Sequence, residues 1–366
     1  MKILLTIGTR PQIVKTSVLM NSLTNIGFDV VLVHTGQHYS EELSTTFFND
    51  FQLKSPDYNL NVGSGNYKYQ VQTGTQRLLG IIETEKPDVV LIIGDSNPIM
   101  VGSLCALVTG IRLANIEAGL RSYDSREQEE KNRIFVDSIS DILFCSTEEN
   151  KKALVDENVL GETFITGDLL YDAWLKYSDN VEYVGEKKFA HITKNGFYLF
   201  TSHRKTNAYI VNYLNKLISM FSESWDKPIF WPIHPGVLNE LKKHSLLEKF
   251  NHIKTLKILP ALGYFDFQWF VRNSSAVITD AVGVQVEAYL SKKPCITLRD
   301  KIEHTSIENL GWSVRLSPKT LGQISCFELV KELCSKQLHY NDNLFGDGNS
   351  ADKIAQYLYS FCKKNM

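Results

Sequence analysis

No stretch of the 366 residues is apolar for long enough to span a membrane. The N-terminal MKILLTIGTR has only a short apolar run before Gly8, so it reads as a first β-strand rather than a signal sequence. An excess of charge of one sign is missing too: 39 Lys and Arg against 41 Asp and Glu leave a net charge of −2, which gives no footprint for nucleic acid or anionic lipid. The six cysteines, Cys105, Cys145, Cys295, Cys326, Cys334 and Cys362, form neither a CxxC pair nor a metal-spaced set. Their mostly apolar settings suit reduced core thiols of a cytoplasmic protein, and no metal site is expected. Neither the dinucleotide fingerprint nor the Walker pattern occurs, and no internal repeat or low-complexity segment is evident.

What is present, with 43% hydrophobic and 22% charged residues, suits a globular chain with two cores. In the first half, apolar β-rich runs at 3–7, 30–34, 89–93, 113–116 and 142–145 alternate with helical patterns at 13–23, 70–83 and 101–109. Near-continuous apolar strands separated by helices predict a parallel sheet covered on both faces. Ligands of such sheets sit beyond the carboxyl ends of the strands, where Gly8-Thr9-Arg10, Thr35-Gly36-Gln37-His38, Gly94-Asp95 and Glu117-Ala118-Gly119 all fall. A polar stretch to about Asn195 reads as a linker. A second set follows, with strands at 196–201, 229–233, 253–258, 276–279 and 295–298 and helices at 210–221, 265–272 and 285–290. The expected fold class is α/β, two Rossmann-like domains facing a central cleft: 1–180, 181–350, and a C-terminal helix in 351–366 packing back on the first.

The stretch from Gly94 to Arg133 gathers Asp95, Glu117 and the Glu129/Glu130 pair at loop-like places, with Arg121 and Arg133 among them. Carboxylates gathered this way suit proton chemistry if the fold brings them together. Each has a plainer reading: Asp95 as a helix cap, Glu117 in an ion pair with Arg121, and Glu129 as a first-turn acid favoured by the helix dipole. Gly8-Thr9-Arg10-Pro11 opens a helix with Arg10 and Lys15 beside its free N–H groups, which suits a phosphate ligand, or else a βα turn with surface basics. His203 and His234 each follow a strand of the second half, with Arg204 adjacent. Lone histidines there are more often loop residues, but two with an arginine favour pyrophosphate. Gly283 lies at another anion-ready helix start, and Glu287, one turn on, could accept from ribose hydroxyls or be an exposed helical acid.

With these pieces in order, the sequence resembles the non-hydrolysing UDP-N-acetylglucosamine 2-epimerases, sugar-nucleotide enzymes of the GT-B architecture. The motifs are GTRPQIVK, HTGQH, GD, IEAGLRS, EExNR, SHR, the DxxGxQxE turn and TLRD, spread from residue 8 to 300. The resemblance implies a two-stage reaction in which UDP leaves C1 as the C2 proton is taken, giving 2-acetamidoglucal, and then returns with a proton on the other face. It assigns catalysis to Asp95, Glu117, Glu129 and His203. Substrate binding falls to Arg10, Lys15, Arg121, Arg133, Arg204, His234, Phe267 (a uracil contact), Gly283, Glu287 (a ribose contact) and Arg299. No cofactor is implied, since UDP itself leaves and returns. The partners implied are a UDP-sugar substrate and a second copy of the chain in a homodimer, with neither nucleic acid nor membrane, and the setting is polysaccharide or glycan precursor synthesis.

Departures from the family pattern cluster on the UDP side. Ala281-Val282-Gly283 replaces Ser-Gly-Gly, Thr206 replaces an acid, and Ile302-Glu303-His304-Thr305-Ser306 replaces Thr-Glu-Arg-Pro-Glu. Ser96 also stands for a usual Thr. Gln37 and His38 match positions tied to allosteric binding, but the Arg-Gln pair expected near residue 66 is absent. Three alternatives stay open: a 2-epimerase of a modified UDP-HexNAc such as a diacetamido-uronic acid, a GT-B glycosyltransferase, and a catalytically weak UDP-sugar-binding protein.

Overall fold

A computed structural model describes residues 1–36, 48–204 and 206–364. Gln37 and His38 lie outside the described residues. The chain divides into two units, Met1–Lys176 with Asp342–Met366, and Tyr177–Asn341.

Unit 1 is built on seven strands: β1 (Lys2–Ile7), β2 (Asp29–His34), β3 (Tyr58–Asn59), β4 (Val89–Ile93), β5 (Arg112–Ile116), β6 (Ile142–Cys145) and β7 (Glu162–Ile165). All pairs are parallel and the order is β3-β2-β1-β4-β5-β6-β7. The chain reverses its direction of sheet-building between β1 and β4, so the loops after Ile7 and Ile93 flank the switch point where parallel sheets bind ligands. Helices α1 (Arg10–Asn25), α2 (Tyr67–Glu85), α3 (Asn97–Thr109), α4 (Gln128–Ile139) and α5 (Glu148–Asp156) lie in the connections between strands, and α6 (Leu169–Lys176) follows β7. β4 is buried at all five positions, as a strand covered on both faces must be, and each such side chain contributes about 1.5–3 kcal/mol by leaving water.

The C-terminal helix Ser350–Lys364 belongs to unit 1. Ile354, Ala355, Leu358 and Cys362 are buried at helical spacing, and Tyr357 stacks on Phe164 with ring centroids 4.3 Å apart. Asp172 of α6 accepts the Ala351 N–H at 2.8 Å and so caps this helix from outside.

Unit 2 repeats the plan with six parallel strands: β8 (Tyr198–Thr201), β9 (Ile229–Pro232), β10 (Leu256–Leu259), β11 (Ala276–Thr279), β12 (Cys295–Thr297) and β13 (Ser313–Arg315). Their order, β10-β9-β8-β11-β12-β13, puts its switch point between β8 and β11. Around them lie α7 (Ser178–Lys188), α8 (Val211–Phe221), α9 (Pro235–Lys243), α10 (Leu247–Asn251), α11 (Tyr264–Asn273), α12 (Val282–Leu290), α13 (Thr305–Asn309) and α14 (Cys326–Ser335). One face of the sheet buries an aromatic cluster in which Phe200, Phe221, Trp231 and Phe250 meet edge-on or tilted at 4.8–6.1 Å.

The structure corrects one expectation. The polar stretch read as a linker is mostly helix, and the division of the chain falls between α6 and α7. Few apolar residues are needed there because they are well spaced: Leu169, Leu170 and Ala173 bury one face of α6, and Val181 with Gly185 does so for α7. Among the described residues no helix is long and apolar enough to cross a membrane.

Candidate active site

In unit 1 the loops beyond β1, β4 and β5 are tied together before any ligand is considered. Gly8 follows β1, and a Cβ there would stand 2.0 Å from Thr35 Oγ1 and 2.6 Å from Pro98, so only glycine lets the turn close. Gln12, in the first turn of α1, accepts the Gly8 and Thr9 N–H groups at 2.8 and 3.0 Å and donates to Ile93 O at 2.8 Å. One buried amide thereby fixes the β1 loop to the end of β4. Arg10 opens α1 part-exposed, and burial lowers its pKa from the usual guanidinium value.

Glu117 is the first residue after β5 and has φ +71, a left-handed conformation that costs a non-glycine residue about 1–3 kcal/mol. Its backbone N–H and that of Ala118 both donate to Phe144 O, each at 3.0 Å. The side chain forms an ion pair with Lys15, the two being 12% and 13% exposed. Gly94 lies alongside, since a Cβ there would stand 3.3 Å from Glu117 Oε2. Burial pushes the Glu117 carboxyl up to about 7; Lys15 opposes the rise, while Asp168 and Asp95 add to it. Burial works against the Lys15 ammonium, but Glu117, Asp168 and Asp95 outweigh it and the Lys15 pKa is raised.

Asp95, next to Gly94, pairs with Arg133 of α4 through NH2 and through Nε at 3.2 Å. Its backbone oxygen accepts from Asn132 Nδ2 at 2.9 Å. Arg133 NH1 also reaches Glu130 at 2.9 Å, and Glu130 in turn accepts from the N–H groups of Ser122 and Tyr123 at 2.9 and 2.7 Å. Arg133 and Glu130 are therefore built into the fold, and Arg133, expected on the substrate, holds Asp95. Glu129 is part-exposed in the first turn of α4, where the helix dipole favours its charge.

Arg121, read from sequence as a substrate contact, lies deep in the fold. Its side chain is 2% exposed and its donors go to protein: NH1 to Asp137 at 2.7 Å and to Leu120 O at 2.9 Å, Nε and NH2 to Glu157 at 2.8 and 2.7 Å. A guanidinium this enclosed serves the fold, and the ion pair with Glu117 given as its plainer reading does not form, since Glu117 pairs with Lys15.

In unit 2 the loops beyond β8 and β11 meet on Asp280, which is fully buried. Its carboxylate accepts from Ser202 Oγ at 2.7 Å, the His203 N–H at 3.0 Å and the Arg204 N–H at 3.2 Å, and its backbone oxygen accepts from Arg204 Nε at 3.1 Å. His203 is exposed, and its ring lies over that of His234 with centroids 6.0 Å apart. His234 ends the β9 loop and caps α9, its Nδ1 accepting the Gly236 N–H at 3.1 Å. Arg299, expected on the substrate, is buried and bound to Glu303, whose side chain is fully buried and also faces Arg204 NH2 at 3.6 Å.

Gly283 is exposed in the first turn of α12, where Ala281 at the N-cap has no side-chain oxygen to compete for the first N–H groups. Glu287 is buried one turn on and raises the pKa of the buried Tyr264 after burial itself has done so. Phe267 is part-exposed and packs against the second apolar cluster of unit 2.

Four acidic residues that matter here were not singled out from sequence: Asp137, Asp168, Asp280 and Glu303. Asp280 and Asp168 carried a usable signal, an acid directly following an apolar strand or its short turn. Asp137 and Glu303 had none, because their partners are distant along the chain or sit in a loop of no regular pattern. Among the described residues no group of three His, Cys, Asp or Glu side chains could hold a metal ion.

A family profile for UDP-N-acetylglucosamine 2-epimerase matches residues 21–359. The UDP-N-acetylglucosamine 2-epimerase of Methanococcus maripaludis is 36% identical over 366 residues, covering 98% of this chain and 98% of that protein. The UDP-2,3-diacetamido-2,3-dideoxy-D-glucuronate 2-epimerase of Pseudomonas aeruginosa is 30% identical over 364 residues, covering 98% and 99%. Among solved structures, the Methanocaldococcus jannaschii UDP-GlcNAc 2-epimerase in complex with UDP-GlcNAc and UDP matches with a TM-score of 0.92 at 33% identity, covering 98% of this chain and all of that one. The expected fold class, α/β with two Rossmann-like domains, holds.

Proposed function

The chain belongs to the UDP-N-acetylglucosamine 2-epimerase family, and from that premise we propose that it interconverts UDP-GlcNAc and UDP-ManNAc by elimination and re-addition of UDP. C2 of the sugar is not adjacent to a carbonyl, so its hydrogen is too weakly acidic for simple exchange. When a base takes that proton, the C2–H electrons form a C1=C2 bond and the C1–O electrons leave with UDP, giving 2-acetamidoglucal. Return of UDP to C1 with a proton delivered to the opposite face of C2 completes the inversion.

The observation that carries this reading is the Glu117 carboxyl, mostly buried beside Lys15 and raised to about 7. A reversible epimerisation needs a group that gives up and takes back a proton with similar ease, and a pKa near the working pH serves both directions. Asp95, held by Arg133 and Asn132, is the second carboxylate of the pair, and Glu129 a third at the edge of the same unit. In unit 2, His203 with the first turn of α12 is assigned to the pyrophosphate and Glu287 to the ribose. Arg10 adds charge for the departing UDP.

Incubation with UDP-GlcNAc in heavy water tests the proposal: deuterium appears at C2 in both epimers. No exchange and no UDP-ManNAc sinks it for this sugar. The 30% identical Pseudomonas aeruginosa relative supports a second reading, a diacetamido-uronic acid nucleotide as substrate, and the same exchange assay over a panel of UDP-HexNAc variants decides between them. A homodimer is part of the proposal by family likeness, and light scattering at twice 41.6 kDa checks it.

A further inference from the structure

Glu117 has an unfavourable backbone conformation, and something must hold it there. The residues two before and two after it are gripped by one side chain. Asp137, fully buried in α4, accepts from Asn115 Nδ2 through Oδ1 at 2.7 Å and from the Gly119 N–H through Oδ2 at 3.0 Å. Asn115 is the fourth residue of β5, and Gly119 completes the turn that Glu117 begins. Gly119 has φ +77, and a Cβ on it would stand 2.1 Å from Asn150 O, so the chain has no alternative residue for this path.

Arg121 completes the arrangement. Its NH1 lies 2.7 Å from Asp137 Oδ2 and donates to Leu120 O at 2.9 Å, so the buried carboxylate is neutralised by a cation that itself pins the far end of the turn. Glu157, about a third exposed, takes the remaining side of the guanidinium.

We infer that Asp137, with Asn115 and Arg121, is the positioning residue for Glu117, clamping the chain on both sides so that the carboxylate meets Lys15 and the C2 proton. The inference rests on the proposed role of Glu117. Asp137 touches no substrate; it acts through the path of residues 115–119. The IEAGLRS motif thus contains a working residue and, four positions on, part of its mounting.

The test is steady-state kinetics with calorimetric UDP binding on the full chain. Asp137→Asn keeps the shape but removes the charge that Arg121 neutralises, and turns an amide donor either toward Asn115 Nδ2 or toward the Gly119 N–H and the Arg121 guanidinium together. It lowers kcat about 30-fold through misplacement of a reacting group, leaves KM and UDP affinity within about twofold, and shifts the pH dependence of kcat. If that variant fails to fold, Asn115→Ala takes its place and lowers kcat about fivefold with UDP binding unchanged, the loss of one hydrogen bond. A wild-type kcat in the folded variant overturns the inference. Glu157→Gln removes the other carboxylate on Arg121 and keeps kcat; a loss as large as that of Asp137→Asn also overturns it, because the effect would then travel through Arg121 burial alone. Glu117→Gln is run beside them. A wild-type rate there removes the reading of Glu117 itself, whereas a dead Glu117→Gln with an active Asp137→Asn removes only the clamp.

Discussion

The two units share a topology and use carboxylates in opposite ways. At the switch point of unit 1, Asp95 and Glu117 are part-accessible acids, each held by a cation: Arg133 for one, Lys15 for the other. At the switch point of unit 2, the acids are Asp280 and Glu303, both fully buried in their side chains, and they hold the loop residues: Ser202, His203 and Arg204 for one, Arg299 and Arg204 for the other. A parallel sheet offers helix N-termini and loop ends, which favour anions. Unit 2 keeps that polarity and spends its acids on the frame. Unit 1 reverses it by bringing carboxylates to the rim, the arrangement on which the proposed proton chemistry depends.

The comparison breaks first at Asp280. Asp280→Ala leaves the Ser202 hydroxyl and the His203 and Arg204 N–H groups without their buried acceptor, and should cost about 3–5 kcal/mol in urea unfolding. In whatever folds, UDP affinity falls more than the rate of chemistry. A stable variant with unaltered UDP binding would mean that unit 2 does not use Asp280 as its frame. Next in size is Glu117→Gln, expected to lower kcat about 100-fold, or about 2.7 kcal/mol, with modest change in UDP binding. Loss of UDP binding in parallel with kcat would place Glu117 in the frame and erase the contrast between the units.

The pH dependence sharpens the same contrast. Because the Glu117 carboxyl is raised in the folded protein, the native state holds a proton there that the unfolded chain has released; the associated stability is present below the usual carboxylate value near 4.5 and is lost as pH rises toward about 7. In kcat/KM the same group gives a limb near pH 7 that vanishes in the residual activity of Glu117→Gln. Lys15 opposes the rise, so Lys15→Met should move that limb to higher pH by about one unit, the size of an ordinary loss of one opposite charge at contact. A limb that stays near 7 in Lys15→Met would show that the ion pair is not what sets it.

Much of this was readable in advance for a physical reason. Strands such as Val89–Ile93 and Ile142–Cys145 announce themselves because burial on both faces leaves no polar position. Asp95 and Glu117, just beyond β4 and β5, fall at the loops by the same logic. The contacts were not readable. Arg121 sits in the same motif as Glu117, and nearness along the chain suggested a pair, yet the left-handed turn at Glu117 sends the two side chains to different partners, one reached from α1 and the other from α4 and the residue that ends α5. Helices α6 and α7 were read as a linker because helical burial of one narrow face needs only three or so apolar residues, too few to show in composition.

The smallest expected effect concerns His234, read from sequence as a pyrophosphate ligand and found capping α9. Its Nδ1 accepts the Gly236 N–H, so in the neutral ring the proton is on Nε2, and the exposed ring lies beside that of His203. The two roles separate under substitution. His234→Ala loses the cap and should cost about 1 kcal/mol of stability. Asparagine is itself a good cap, so His234→Asn should restore that stability while leaving UDP binding weaker by about threefold, the loss of one hydrogen bond to an anion at a wet site. Titration of UDP into both variants, with urea midpoints measured alongside, decides the matter. If His234→Asn recovers wild-type UDP affinity together with stability, His234 is frame alone, and the anion-binding face of unit 2 narrows to His203 and the first turn of α12.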